Sequence, residues 1–331
     1  MEEKRSKKSL ILVGIIVLLM IAVGVYFLIT KVFNKEDTPK EPEKPVVEKE
    51  KITPLMYEIT KEGSTNKIYL IGSIHFAQIS KIEFPKYVMD AYTNSPYLAC
   101  EFNILKFLRE VDQTELTKDY YYTEPDSLDK HVSKETYDKI VKYFKDNLNI
   151  GEEQVKKYSL AFIEDYLTQT ILGKTEIGNS EGVDQYFLEK AEKDGKNILE
   201  VESYEFQTNI EKSFPERIKE LAIIDAIDNT EKGIEEMNEL YKYWKEGNVE
   251  KLIDILINTD TEGYTKEDLA LMEQYNKKML DDRNVGMKEK LEEYFNSNYT
   301  VFYMVGTAHL IGDNGIAKLL ETDGYTVTIV K

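Results

Sequence analysis

Residues 67–75 read KIYLIGSIH, and residues 301–309 read VFYMVGTAH. In each stretch an apolar run ends in glycine, and a histidine (His75 or His309) follows three positions later. The chain contains 3 histidines, so two of them lie in the same short pattern. An apolar run that ends in glycine is typical of a buried strand leading into a tight loop. We expect glycine at the strand exit because it adopts backbone conformations that are closed to other residues.

The two ends of the folded region supply most of the predicted strands. Residues 55–60 (LMYEIT) and 67–72 (KIYLIG) are strand-like and are joined by KEGSTN, which predicts a hairpin. Residues 97–102 (YLACEF) and 325–330 (YTVTIV) indicate two further strands. Because open α/β folds assemble their sites at the carboxyl ends of strands, both histidine turns are expected to meet over one crevice there.

The middle of the chain, from about 103 to 297, has the periodicity of charged helices, interrupted by one strand-like run, NILEVE, at 197–202. Ser133 is a suitable N-cap for the helix that follows it. Further helices are predicted over 215–230, 233–246, 248–258 and 266–296. The predicted fold class is therefore α/β, with a mixed sheet formed by the N- and C-terminal segments and a large helical insert.

The N-terminal region predicts a membrane anchor. Residues 10–29 hold 20 uncharged apolar positions, enough to span about 30 Å of hydrocarbon as a helix. No small-residue cleavage site follows this run, so an uncleaved signal anchor over 10–30 is favoured over a cleaved signal peptide. The basic segment 1–9 favours a cytoplasmic N-terminus. The expected localisation is therefore the cell membrane, with a single pass, a charged proline-containing linker at 31–51 and an extracytoplasmic domain at 52–331.

Charge and cysteine content exclude several classes of function. The chain carries a formal net charge of −18 although its first 35 residues are basic, so the predicted domain is strongly acidic. Such a surface repels polyanions, and we expect no nucleic-acid partner. The chain has 1 cysteine, which excludes an intrachain disulfide and a zinc site built from several cysteines.

The two histidines and a nearby carboxylate are the main candidates for chemistry. Glu101 lies at the end of the YLACEF strand and is expected to face the same crevice as His75 and His309. Such a carboxylate could orient an imidazole, activate water, or complete a metal site of two histidines and one carboxylate. Glu202, at the end of NILEVE, is a weaker candidate of the same kind. Arg283 could stabilise an oxyanion if it faces the site.

Three other signals are weaker. Residues 178–182 fit the nucleophile-elbow formula G-x-S-x-G, but no buried strand precedes them. Cys100 is expected to be a small core residue, because it points away from Glu101 on an alternating strand. His131 lies just before a helix among charged residues and is predicted to be exposed to solvent.

Several motifs together resemble the TraB/GumN family, which includes plasmid pheromone-shutdown proteins and the TIKI Wnt-cleaving proteases. They are the two Gly-x-x-His turns, the strand-end Glu101, the stretch EGVDQYFLEKAEKDGKNILEVESYEFQ, the Arg283–Asn284 pair, and the closing VGTAHLIGDNGIAKLLETDGYTV. The similarity covers nearly all of 52–331, and its last motif is the most specific. One mild departure is the serine of GSIH, where threonine commonly follows the glycine; serine keeps the hydroxyl.

The resemblance implies a function as well as a fold. In the TIKI branch it implies membrane-tethered, divalent-metal-dependent hydrolysis of peptides or proteins, with a metal of the Mn, Co or Zn class. His75, Glu101 and His309 are then expected to hold the metal and to form the active-site set, with Arg283 beside them. The alternative is a non-catalytic, membrane-tethered protein that binds or sequesters a peptide pheromone in the same crevice.

Overall fold

A computed structural model describes the chain over residues 48–112, 118–178, 180–258 and 263–331. The predicted basic N-terminus, the predicted signal anchor at 10–30 and most of the predicted linker lie outside these ranges. Within the described ranges, no helix is both long and apolar enough to cross a membrane.

The described strands form a six-stranded mixed sheet and a small two-stranded parallel pair. The pair consists of β1 (Glu50–Lys51) and β4 (Ile82–Glu83). The strands of the large sheet are β2 (Met56–Thr60), β3 (Ile68–Ser73), β5 (Tyr97–Cys100), β6 (Asn197–Glu200), β7 (Val301–Gly306) and β8 (Thr326–Ile329). Their spatial order is β6-β5-β7-β3-β2-β8. The first four strands in this order run parallel, and β2 runs antiparallel to both of its neighbours.

Distant segments build this sheet, as the sequence predicts. The β2–β3 hairpin is confirmed. Strand β7 lies between β3 and β5, so the strands that lead to the two histidine turns are direct parallel neighbours, with Ser73 opposite Gly306. One strand of the insert, β6, adds to the outer side of β5. The insert is therefore not purely helical, because it also supplies an edge strand of the sheet.

Helices make up most of the remaining described chain. Ser133 caps its helix as predicted, since its hydroxyl accepts a hydrogen bond from the Thr136 N–H. The predicted helix at 266–296 is divided by a π turn, Lys277–Asp281. The helices are α1 (Lys86–Asn94), α2 (Ile104–Glu110), α3 (Lys134–Leu148), α4 (Glu152–Val155), α5 (Leu160–Gly173), α6 (Val183–Asp194), α7 (Tyr204–Lys212), α8 (Arg217–Asp228), α9 (Thr230–Glu246), α10 (Val249–Leu256), α11 (Lys266–Asn276), α12 (Asp282–Asn296), α13 (Thr307–Leu310) and α14 (Ile316–Thr322).

Strand β7 is buried on both of its faces. On one face the Phe302 ring packs 4.9 Å from the Phe187 ring of α6. On the other, the Tyr303 hydroxyl donates a 2.7 Å hydrogen bond to the Met287 carbonyl of α12. Helices therefore cover both sides of the sheet, which is why this strand is an unbroken apolar run rather than an alternating one.

Candidate active site

All four site residues predicted from the sequence lie together at the carboxyl edge of the parallel strands. His75 follows β3, Glu101 follows β5, and His309 lies in α13 directly after β7. Arg283, in the first turn of α12, reaches the same place. These four side chains line one cavity with an empty volume of about 640 Å³, part of it open to solvent. The expected convergence of the two histidine turns over a shared crevice is confirmed.

The glycines of the two turns permit close approach rather than unusual backbone angles. Neither Gly72 nor Gly306 has a positive φ, so the conformational reason expected from the sequence is wrong. A Cβ on Gly72 would lie 2.7 Å from the Thr307 Oγ1, and one on Gly306 would lie 3.2 Å from the Glu101 Oε1. The Thr307 hydroxyl donates to the Ser73 carbonyl at 2.8 Å. The turns are therefore packed directly against each other, and a larger residue at position 72 would push them apart.

The imidazole of His75 is oriented by a carboxylate from the insert. Its Nδ1 lies 3.0 Å from the Asp184 Oδ2, while the Ser73 hydroxyl donates to the Asp184 Oδ1 at 2.7 Å. Since a carboxylate accepts hydrogen bonds, the proton of the neutral ring is on Nδ1, and Nε2 carries the lone pair in that state. Burial alone would lower the pKa of His75, but the Asp184 carboxylate outweighs burial and raises this pKa above 6.5. The serine of GSIH thus uses its hydroxyl to hold the carboxylate.

Backbone contacts explain how Asp184 reaches His75. The Val183 N–H donates to the Ile74 carbonyl at 3.0 Å, and the Ala77 N–H donates to the Glu181 carbonyl at 3.2 Å. A Cβ on Gly182 would lie 2.1 Å from the His75 carbonyl oxygen. The start of α6 therefore lies against the His75 loop. This segment is one of the sequence motifs of the family resemblance, but no role was predicted for its aspartate.

His309 has the matching arrangement, with an amide in place of the carboxylate. Its Nδ1 lies 2.6 Å from the Asn284 Oδ1, and the Asn284 Nδ2 donates to the Asn314 carbonyl at 2.9 Å, which fixes the orientation of the amide. Burial and the positive charge of Arg283 lower the pKa of His309 to about 3. At neutral pH this imidazole is uncharged, with the proton on Nδ1 and a lone pair on Nε2.

Arg283 forms a buried ion cluster with two glutamates. Its Nη2 donates to Glu101 at 2.6 Å and to Glu202 at 2.8 Å, and its Nε donates to Glu202 at 3.0 Å. Its Nη1 donates to the Met279 carbonyl, in the π turn, at 3.2 Å. These bonds use four of the five guanidinium N–H groups, so one N–H bonds to no residue in the described ranges. The predicted oxyanion role of Arg283 would have to rely on that single N–H.

Glu101 is ionised although its side chain is only 3% exposed. Burial would raise its pKa, but the charge of Arg283, the two nearby imidazoles and the Gly306 N–H, which donates at 2.7 Å, lower it to about 2. The Gln207 side chain of α7 donates to Glu101 at 3.3 Å and to Glu202 at 2.8 Å. Glu202, the weaker sequence candidate, therefore lies behind Glu101 and completes the cluster.

The donor atoms at this site are of types that bind a divalent cation, but the side chains are not arranged as a complete set of ligands. Both imidazoles keep Nε2 free while Nδ1 is held by a hydrogen bond, as is usual for metal-binding histidines. The His309 Nε2 lies 3.9 Å from the Glu101 Oε1, within the roughly 4.2 Å that two ligands of one zinc-like cation can span. However, no group of three or more His, Cys, Asp or Glu side chains in the described ranges is placed to hold a metal ion.

The weaker sequence signals have ordinary structural explanations. The Ser180 hydroxyl donates to the Ile177 carbonyl at 2.8 Å, in a loop that follows a helix rather than a strand. Cys100 is buried, and burial raises the pKa of its thiol. His131 is partly exposed, with 21% of its side chain accessible, instead of fully exposed as predicted, because its ring stacks 4.1 Å from the Tyr122 ring and pairs with two carboxylates. None of these side chains lines the cavity of the two histidine turns.

The match with a family model agrees with this geometry. The model of the TraB/PrgY/gumN family matches residues 55–329. The chain belongs to the TraB/PrgY/gumN family. The matched range contains all six strands of the large sheet and every residue of the site, so the resemblance recognised from the sequence motifs is confirmed. Comparisons with curated proteins and with solved structures give no match.

Proposed function

We propose that this TraB/PrgY/gumN-family protein hydrolyses peptides or proteins at the site formed by its two Gly-x-x-His turns. The observation that supports this most directly is the pair of imidazoles whose Nδ1 atoms are held by Asp184 and Asn284. Each imidazole thereby keeps an Nε2 lone pair for chemistry at one cavity.

In the proposed reaction, His75 acts as the general base. Its Nε2 accepts a proton from water, and the Asp184 carboxylate stabilises the positive charge that forms on the ring. The water oxygen bonds to the carbonyl carbon of the substrate, and the C–N bond breaks as His75 returns the proton to the leaving amine. The second O–H group of the same water donates a hydrogen bond to the Nε2 of His309, which stays neutral, or to Glu101, and this bond holds the water in place.

The surroundings of the site favour a neutral amide substrate. The site contains three carboxylates (Asp184, Glu101 and Glu202) and one guanidinium (Arg283), and this excess of negative charge would repel a phosphorylated substrate. The remaining cavity wall is mainly apolar, and it can receive a hydrophobic side chain of a peptide. This wall includes Met237, Leu240, Trp244, Leu256 and Leu280.

The cofactor and the location are further parts of this proposal. As an alternative to the general-base route, a divalent cation of the Mn, Co or Zn class held by His75, His309 and Glu101 would act as a Lewis acid and lower the pKa of bound water; the His75 Nε2 would then be a ligand and not the base. The apolar segment 10–29 would anchor the domain to the cell membrane, and the basic N-terminus favours a domain outside the cytoplasm.

To test the proposal, a synthetic peptide mixture is incubated with the purified full-length chain and then analysed by mass spectrometry. The protein is first stripped with EDTA and then supplied with Mn²⁺, Co²⁺ or Zn²⁺. We expect new peptide termini with the wild type and with His131→Ala, a control that removes the histidine outside the site. His75→Ala and His309→Ala should each lower the rate by roughly 10²- to 10⁴-fold, the contribution typical of a general base. Intact peptide that remains bound to the wild type would instead support the pheromone-binding alternative.

A further inference from the structure

A second cavity lies in the helical insert, away from the two histidine turns. Its empty volume is about 900 Å³, part of it open to solvent, and none of its lining residues lines the histidine cavity. Helix α7 contributes to both the histidine site and the second cavity. Its Gln207 contacts Glu101 and Glu202. Its Glu211, one turn later, lines the second cavity. We refer to this second cavity as the insert cavity.

Buried carboxylates outnumber the positive charges at one end of the insert cavity. The Lys219 ammonium pairs with Glu164 at 3.3 Å and with Glu211. Asp165, next to Glu164, accepts a hydrogen bond from the Tyr120 hydroxyl. The charges of Lys219 and Glu211 also act on Asp165. Burial raises the pKa of Glu164 to about 7 and that of Asp165 to about 6, because one ammonium does not offset the desolvation of several acids. An additional positive charge would therefore be stabilised here.

A tyrosine side chain at this end has a hydroxyl that is available to a ligand. The Tyr275 side chain lines the insert cavity and is only 5% exposed, yet its hydroxyl bonds to no residue in the described ranges. Its ring packs edge-on against Phe214, with 5.0 Å between the ring centroids. This hydroxyl is therefore free to form a hydrogen bond with a molecule that enters the cavity.

Much of the remaining lining of the insert cavity is apolar. The apolar residues are Phe214, Pro215, Ile218, Leu221, Ala222 and Met272. Such a lining offers no oxygen ligands to a hydrated metal ion, which prefers six or more of them. It does suit the hydrocarbon part of an organic molecule, and the Phe214 and Tyr275 rings can each favour a nearby cation.

We propose that the insert cavity binds a hydrophobic organic ammonium ion. The ammonium group would contact Glu164, Glu211 and the Tyr275 hydroxyl, and the apolar body would lie against Phe214 and Met272. The carboxylates and the Tyr275 hydroxyl match the ammonium group of such a molecule, and the apolar lining residues match its hydrocarbon part. This proposal does not depend on whether the histidine site hydrolyses peptides.

Isothermal titration calorimetry with the purified full-length chain tests the proposal, using 2-phenylethylammonium as the probe. We expect saturable binding with one site per chain. We expect no binding of 3-phenylpropionate, which lacks the positive charge, or of ethylammonium, which lacks the apolar body. Glu164→Gln and Glu211→Gln should each weaken binding roughly tenfold or more, since each removes a charge-assisted contact. Tyr275→Phe, which keeps the ring, should weaken binding by a smaller factor.

His75→Ala is the matched control, because the histidine cavity is also acidic and partly apolar. Binding that survives His75→Ala and is weakened in Glu164→Gln supports the insert cavity as the site. Absence of binding to the wild type, equal binding of 3-phenylpropionate, or loss of binding in His75→Ala alone would overturn the proposal. Thermal unfolding of each variant, measured by circular dichroism, shows that it is folded under the titration conditions.

Discussion

Replacing the buried Arg283 with methionine should destabilise the protein more than the same replacement of an exposed arginine. The change leaves Glu101 and Glu202, whose side chains are 3% and 7% exposed, without their shared positive charge. The pKa of Glu101 lies at about 2 instead of its ordinary 4.5. At about 1.4 kcal/mol per pH unit, this shift corresponds to roughly 3 kcal/mol of stability. Breaking a buried ion pair by removing one partner typically costs about 3–5 kcal/mol, which gives the expected loss in unfolding free energy at pH 7.

The pH dependence of this loss provides a sharper test. Because the pKa of Glu101 is lowered on folding, its stabilisation is present above the ordinary pKa and disappears as the pH falls toward 2. In the variant, burial is no longer opposed by Arg283, so the carboxyl protonates more readily and the cost falls in acid. Urea unfolding should therefore show a smaller difference between wild type and variant at pH 4 than at pH 7.

The matched control for this experiment is Arg109→Met. Arg109 pairs with Glu192 on the surface, where their side chains are 59% and 36% exposed, so its loss should cost less than about 1 kcal/mol. The reasoning would be refuted if Arg283→Met destabilised the protein no more than Arg109→Met at pH 7. A difference in unfolding free energy that does not change between pH 7 and pH 4 would also contradict it.

Two further predictions concern the start of α6. Gly182→Ala should lower the urea midpoint, because the new Cβ would lie 2.1 Å from the His75 carbonyl oxygen. The control is Gly286→Ala in α12, where a new Cβ would meet open space, and this change should stabilise the protein by about 0.5–1 kcal/mol. Equal midpoints for the two variants would contradict this. Asp184→Asn should lower the pKa of His75, because it removes the carboxylate that raises it. An NMR titration of the histidine ring protons measures this pKa, and an unchanged value would show that Asp184 does not control it.

Much of the fold is predictable from local sequence. The β2–β3 hairpin, the N-cap at Ser133 and the end of α6 at Gly195, with a φ of 67°, follow from short-range preferences. The π turn before α12 was not predicted, since the residues on both sides of it have ordinary helical periodicity. The edge position of β6 was not predicted either, because strand order depends on tertiary packing that one sequence does not display.

The site residues that come directly after a strand could be predicted from the sequence. His75, Glu101 and His309 each lie just beyond a strong apolar run, and parallel strands bring such positions to one edge. Their partners were not predictable in this way. Asp184 and Asn284 lie in helices, and an aspartate in the first turn of a helix is common for local electrostatic reasons alone. Only the packing of α6 and α12 against the sheet reveals that these two residues orient the imidazoles.

The central claim is that the two Gly-x-x-His turns form one working site. The most direct test compares peptide-cleavage rates of His75→Ala, His309→Ala and the double variant, each corrected for its folded fraction. Groups that act as a unit give non-additive losses. We therefore predict that the double variant is no slower than the slower single variant. Losses that multiply, or a single variant that retains the wild-type rate, would contradict the claim.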